Sequence, residues 1–375
     1  ASGLLRLDYP IGGGCPAALI EPAATNFARN VQFMTGQDTP TASGGMTITT
    51  GSTDFIAPDG TSGSITKYVG GTASGNSQYA YYTGTGVTVT ASGQHTFSLF
   101  VKAGATNPLN FCAIQFTAYT GGSGTSTSYF SLASGTALTS GASIQDYGNG
   151  WYRLISPPYT IASGDLAGTV LFALAEGNND TSWPASGALN LTAYTWGAQV
   201  ETGAIPTSYI PTTTAAVTRN ADVCTVSGVS GYIGQTQGTL YAEVDLRNAG
   251  TGVFRRIIDV TDGTNQNRIQ IQINNNDSKI RISIFTAGSE VVLLSSLTYT
   301  GITKIALAYK NNDTTYYVNG SLVSGTTSIT VPAINRIQLG STFDSASFFN
   351  DRLRAAAIYT TRLTDAQLAN LTRLT

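Results

Sequence analysis

The sequence predicts an all-β protein: two tandem antiparallel β-sandwiches of jelly-roll type with a short C-terminal helix. Three observations carry that expectation. Apolar and polar residues alternate with period two in many short runs, Gly-, Asn- and Asp-bearing turns separate those runs, and glycine is abundant at 42 of 375 residues. A chain of this length is long for one domain and sufficient for two cores, and 19 Tyr, 14 Phe and 3 Trp supply bulk to fill them.

In chain order, His95 to Val101 alternates cleanly, and Asn149-Gly150 marks a tight turn into a strand beginning Trp151-Tyr152-Arg153-Leu154. The pattern is clearer in the second half. Leu240 to Leu246, Arg268 to Ile273 and Lys279 to Ile284 each alternate, and Asn274 to Asp277 form the polar loop joining the last two. Tyr316-Tyr317-Val318, Asn319-Gly320 and Ser321-Leu322-Val323 form the strongest hairpin signal, because Asn-Gly accepts the positive φ angles of a type I′ turn. Only the last twelve residues read as helix: Thr364 can cap, Gln367 stands three residues on, and Leu368 and Leu371 share a face. No fixed-period repeat occurs, which argues against propellers and solenoids.

Between the two strand blocks lies Gly203 to Val223, where Pro206 and Pro211 forbid a central strand. Tyr209 and Ile210 would expose apolar surface if this were a loose linker, so the stretch is expected to pack as a structured connector.

Several of these residues resemble a known assembly. Gly14-Cys15-Pro16, Leu19 to Asn26, Asp146 to Arg153, Trp196 to Glu201 and the connector through Val223 resemble a recurrent module of bacteriophage tail-fibre and other virion surface proteins, a β-sandwich like carbohydrate-binding modules. Lys304 to Lys310, Tyr317 to Gly320 and Ala357 to Asp365 resemble the laminin-G or concanavalin-A-like jelly roll. The resemblance implies an N-terminal extension over 1–24, a carbohydrate-binding-module-like sandwich over 25–205, a structured connector over 206–230 and a jelly roll over 231–375. It also implies virion partners, a homo-oligomer that by family analogy is a trimer, and a virion-surface location, with a secreted bacterial protein as the alternative.

Charged residues are 11% of the chain and the formal net charge is -2, so no broad positive field exists to attract nucleic acid or an anionic membrane. No apolar run approaches a membrane span, and the amino end lacks a basic stretch leading into an apolar one. The opening Ala in place of Met predicts a fragment or a processed product. Cys15, Cys112 and Cys224 are odd in number and far apart, which fits neither a disulfide framework nor a zinc site.

Catalytic signatures are sparse. The single histidine, His95, lies inside an alternating strand with no nucleophile motif near it, and no GxSxG occurs. A glycosidase needs only two carboxylates and 21 acids are present, but Asp59, Asp262 and Asp313 sit where Asx turns account for them. Gly121 to Gly124 lacks the lysine and following helix of a phosphate loop. No cofactor is required; calcium is the one metal the loops could hold, with Asp259, Asp262 and Asn265 as candidate ligands, although Asp262-Gly263 favours a plain hairpin loop there.

A sugar site needs an aromatic platform flanked by polar side chains. Trp151 and Trp196 lie in strands and are expected in cores. Trp183 sits in a polar loop with Asn178, Asn179 and Asp180, where it would either meet glycan or pack over the loop. Tyr79 and Tyr81 share one strand face, and Phe343 with Asp344 opens a loop-like stretch through Arg352 that would be a glycan rim or a subunit contact. Together with these readings, the resemblance implies a non-catalytic virion surface protein that recognises bacterial surface polysaccharide. The alternatives are a structural head or tail decoration, a glycan depolymerase, or a secreted bacterial adhesin or accessory module.

Overall fold

The alternating runs fold as strands in a computed structural model, which describes residues 6–8, 15–29, 40–42, 45–71, 79–82, 86–119, 124–179, 190–248 and 252–374, the side chains at 40–42, 79–82 and 118 excepted. Every pairing between its named strands is antiparallel, and the one α-helix among the described residues is Asp365–Thr372, as the all-β reading predicts. The chain divides into two units, Ala24–Arg219 and Asn220–Thr375 with the residues through Ala23.

In the first unit, one sheet runs in the order Thr136–Ala137, Gly124–Ser131, Phe111–Tyr119, Ala167–Ala175, Tyr79–Tyr82, Pro40–Ala42. A second runs Ser143–Asp146, Trp151–Ile155, Gly93–Ala103, Thr192–Thr202, Ile65–Val69, Thr47–Ser52, and a two-stranded sheet pairs Ala24–Asn26 with Val217–Arg219. Phe97, Ile114, Phe116, Phe130, Leu154 and Val170 fill the core. Asn149 and Gly150 both take positive φ, 51° and 76°, in the predicted turn before Trp151. The opposite face of the second sheet is also apolar: Phe100, Trp151, Tyr194 and Trp196 are buried there, with Phe55, Ala57 and Tyr209 packed against them. The two strand tryptophans are therefore core, as expected. His95 is buried, with Nδ1 3.0 Å from the Gly93 carbonyl and its ring against Phe27.

The connector is clamped rather than loose. Tyr209 lies 4.2 Å from Trp196, centroid to centroid, and Ile210 is buried. Beneath it, the buried Glu201 carboxylate accepts from Thr207 N at 2.9 Å, Thr207 Oγ1 and Gln199 Nε2 at 2.5 Å, while Gln199 Oε1 accepts from Ile210 N at 2.7 Å. Arg153, also buried, donates to the Thr207 carbonyl at 2.8 Å, and Asn26 donates to that of Ile210 at 3.0 Å. A proline-punctuated segment cannot satisfy its own backbone, so these side chains do it instead.

In the second unit, a seven-stranded sheet runs Leu7–Asp8, Ala17–Leu19, Arg352–Tyr359, Gln237–Leu246, Gly301–Lys310, Asp313–Val318, Ser321–Thr326. The amino-terminal residues, expected as an extension, thus add strands to a sheet; two- and three-residue strands carry too little alternation to be read from sequence. Asn319 and Gly320 turn the predicted hairpin with φ of 51° and 86°. Asp313 forms a 2.8 Å ion pair with Arg362 in place of the expected Asx turn. The helix begins at a complete Thr364–Gln367 capping box and buries Leu368 beside Tyr241 and Tyr317.

The remaining sheet runs Thr225–Ser227, Arg336–Leu339, Arg255–Thr261, Arg268–Ile273, Lys279–Thr286, Ser289–Thr298. One face is a run of isoleucines, Ile258, Ile269, Ile271, Ile273, Ile280, Ile282 and Ile284, all in the core. Period two then sends the intervening polar residues to the other face.

Candidate functional site

That other face is polar yet almost closed to solvent. The strand register lays its residues in rows: Gln338, Asp259, Gln270, Ser283 and Val292 oppose one another across five strands. Beside that row stand Arg256, Gln272, Arg281 and Leu294, and on its other side Arg336, Thr261, Arg268, Phe285 and Glu290. Asp259 and Ser283 are 0% exposed, Gln270 1%, Gln272 and Gln338 2%, and Arg256 6%.

Arg256 reaches this face through a β-bulge. Arg256 opposes Gln272 and Ile258 opposes Ile271, so Ile257 is an extra residue in its strand. Without it, the odd spacing of three between Arg256 and Asp259 would send their side chains to opposite faces. Ile257 itself is buried in the core. Its carbonyl accepts from Gly340 N at 3.0 Å, and Gly340 also accepts from Phe349 N at 2.7 Å, closing the base of the loop 341–349. Only glycine fits there: φ is +71°, and a Cβ would stand 2.5 Å from Cβ of Ile20. The loop then returns to the face, where the Ser347 carbonyl accepts from Arg256 N at 2.9 Å.

The face is only partly satisfied from within. Gln270 Nε2 donates to Asp259 Oδ1 at 3.1 Å, Gln272 Nε2 to Ser283 Oγ at 2.8 Å, and Gln338 Nε2 to Ser341 Oγ at 2.7 Å. Arg256 Nε and Nη1, Asp259 Oδ2, Gln272 Oε1 and Arg268 Nε are buried without a hydrogen-bond partner. Burial pushes the Asp259 carboxyl up, against the opposing pull of Gln270, Arg256, Arg268 and the Phe343 amide. Burial likewise lowers Arg256 to about 10, with Asp259 and Asp344 opposing the shift and Arg268 and Arg281 adding to it. Buried polar atoms in folded proteins almost always have partners, so five unpartnered atoms gathered on one sheet face make it a candidate site.

Around these groups stand rings and apolar side chains. The Arg268 guanidinium lies 4.2 Å from the Phe285 ring centroid, and Arg281 and Arg256 lie 5.2 and 5.9 Å from that of Phe254. Phe254 and Phe285 are half-buried, and Val292 and Leu294 are exposed along the edge strand.

The residues expected to act distribute differently from the sequence reading. Phe343 and Asp344, expected as a glycan rim, border this face: the Phe343 amide acts on Asp259, and Asp344, which accepts from the Thr342 hydroxyl, acts on Arg256. Asp259, expected as a calcium ligand, is a buried member of the face. The other two calcium candidates engage protein donors in the turn: Asp262 accepts from Thr264 N at 2.8 Å and Asn267 Nδ2 at 2.9 Å, and Asn265 from Arg268 at 2.8 Å. A hairpin loop accounts for those contacts, and among the described residues no group of three or more Asp, Glu, His or Cys is placed to hold a metal. Asn178 and Asn179 are exposed, Asp180 and Trp183 lie outside the described residues, and Tyr79 and Tyr81 are described in backbone only, in the strand Tyr79–Tyr82. Sequence reasoning missed Arg256, Gln270, Gln272 and Ser283. Their one signal was the choice of Gln and Ser, rather than Lys and Glu, opposite isoleucine.

Residues 218–369, which span this sheet, match the family model of the concanavalin A-like lectin/glucanases superfamily. The second unit is similar to that superfamily. No curated protein matches the chain. Solved structures with partial likeness include a carbohydrate-binding module of the Ruminococcus gnavus IT-sialidase, at 17% identity and a TM-score of 0.33 over 37% of this chain and 83% of that one. A leech intramolecular trans-sialidase is 20% identical with a TM-score of 0.32, over 38% of this chain and 24% of that one. A heptameric pentraxin from Limulus polyphemus is 14% identical with a TM-score of 0.30, over 40% and 72% respectively. Likeness at this level says nothing of ligand.

Proposed function

We propose that the chain is a non-catalytic glycan-recognition protein of a bacteriophage surface, and that the polar sheet face of its second unit is a glycan-binding face. The observation that carries the reading is the set of orphaned donors and acceptors on Arg256, Asp259, Gln272 and Arg268, bordered by Phe254, Phe285, Val292 and Leu294. A saccharide offers both complements: hydroxyls that donate to carboxylate and amide oxygens and accept from guanidinium, and C–H faces that lie on rings and aliphatic side chains. The family match of residues 218–369 supports the class of ligand. The phage assignment rests on the motif resemblance, with bacterial surface polysaccharide as target and an oligomer raising avidity through repeated weak sites.

The test is a glycan array and a host-cell binding assay on the intact protein and on the Gln270→Ala/Gln272→Ala variant, with the polysaccharide then sized. Binding that falls with the variant and leaves polysaccharide length unchanged is the expected result. Shortened polysaccharide would make the chain a depolymerase, and absence of binding to glycans and cells would favour a structural decoration.

A further inference from the structure

We infer that the saccharide taken by this face is acidic, bearing a carboxylate, and that Arg256 is the residue that receives it. The inference rests on the glycan-binding reading above and narrows it to a substrate class.

Arg256 is 6% exposed, and two of its three guanidinium nitrogens, Nε and Nη1, donate to nothing. Its neighbour in sequence differs at the terminal nitrogens: Arg255, 1% exposed on the other side of the strand, also leaves Nε without a partner, but its Nη1 pairs with Asp351 at 2.9 Å and its Nη2 donates to the Asn248 carbonyl at 2.7 Å. A buried guanidinium is normally held by a carboxylate in this way, because an unpaired charge out of water is costly. The acids facing Arg256 are otherwise engaged or distant. Glu290 pairs with Arg281 at 2.9 Å. Asp344 is exposed and takes the Thr342 hydroxyl. Asp259 takes Gln270, and neither it nor Asp344 comes within ion-pair distance of Arg256, whereas Arg268 and Arg281 add positive charge nearby.

The orphaned acceptors refine the match. Gln272 lies directly across from Arg256, and the Asp259–Gln270 pair occupies the next row, so the two residues with an unpartnered acceptor are neighbours of Arg256 on the face. A uronate or similar acid presents a carboxylate for the cation and hydroxyls a few ångströms away for the two acceptors, once these side chains, closed to solvent here, turn outward to it. A neutral sugar would leave the guanidinium charge uncompensated, and a bare inorganic anion would leave the acceptors unmet.

The test is binding of the intact protein to a panel of uronate-, sialate- and pyruvate-bearing oligosaccharides, each beside its methyl ester, together with neutral oligosaccharides. Arg256→Gln and Arg256→Lys are measured alongside, with thermal melts to confirm folding. The inference predicts that at least one acidic member binds, that esterification weakens it by about tenfold or more, that Arg256→Gln does the same, and that Arg256→Lys recovers part of the loss. Esters or neutral sugars bound as well as the acids, or binding unchanged in a folded Arg256→Gln, would overturn the inference and leave glycan recognition standing. No binding to any member of the panel would overturn both.

Discussion

Arg256 and Gln272 face each other across a strand pair only because Ile257 is one residue too many in its strand. Adjacent arginines face opposite sides in any strand, and the bulge decides which takes which: Arg255 pairs with Asp351 and Arg256 turns to the polar face. Bulges often re-aim side chains in this way beside functional sites.

Deleting Ile257 should therefore move Arg256 off the face and displace the Arg255–Asp351 pair. Since Gly340 N donates to the Ile257 carbonyl, the loop 341–349 should loosen as well. Gly340→Ala tests the same support more gently: positive φ and contact with Ile20 predict a loss of about 1–3 kcal/mol in a denaturant melt. An unchanged midpoint in Gly340→Ala would show that the loop base tolerates a side chain.

The Asp351 carboxylate accepts from Arg255, from the Arg247 amide at 3.2 Å and from the Asn248 amide at 3.2 Å, wholly buried. Asp351→Ala should cost about 3–5 kcal/mol because it strands a buried guanidinium. Replacing both partners with apolar residues should recover part of that loss, measured as a double-mutant cycle.

Asp259 predicts a pH-dependent difference. Burial raises its folded pKa above the unfolded value, so the stability it contributes is fully present below the unfolded pKa and is lost as pH rises through the folded one. Asp259→Asn lacks that titration. The variant should match the wild type below the ordinary aspartate range, about pH 4, and gain on it as pH rises towards neutrality. Asp351 and Glu201, raised for the same reason, titrate in both proteins and cancel in the difference. Thermal melts across that window check it; a variant that loses stability with rising pH relative to wild type would contradict the sign.

At the connector, Glu201→Ala leaves Thr207 N without an acceptor, while Thr207 Oγ1 and Gln199 Nε2 keep only longer bonds to the Thr207 and Ser208 carbonyls. A buried group left unsatisfied costs about 1–3 kcal/mol, so the loss should exceed about 1 kcal/mol. Release of Tyr209 from Trp196 should accompany it as a red shift in tryptophan emission. A variant with wild-type stability and emission would mean that the clamp is not what holds the segment.

Much of the fold was legible because period-two alternation is local. Arg268 to Ile273 and Lys279 to Ile284 became neighbouring strands, Asn319-Gly320 turned its hairpin, and Thr364 with Gln367 capped the helix. The packing of Tyr209 and Ile210 followed from the cost of exposing them. The polar face was not legible, because an outward-facing Gln or Ser looks alike in sequence whether it meets water or lies enclosed. The bulge at Ile257 hid Arg256 further, since strict alternation assigns it to the wrong side of Asp259. The loop 341–349 brings Phe343 to Asp259 and Asp344 to Arg256, joining residues that had been read as belonging to two different sites.

The most direct test of the central claim is amide hydrogen exchange of the intact protein with and without a glycan it binds. The account predicts added protection in Arg255–Thr261, Arg268–Ile273 and Lys279–Thr286 and in the loop 341–349. Protection confined to strands of the first unit, with these segments unchanged, would contradict it.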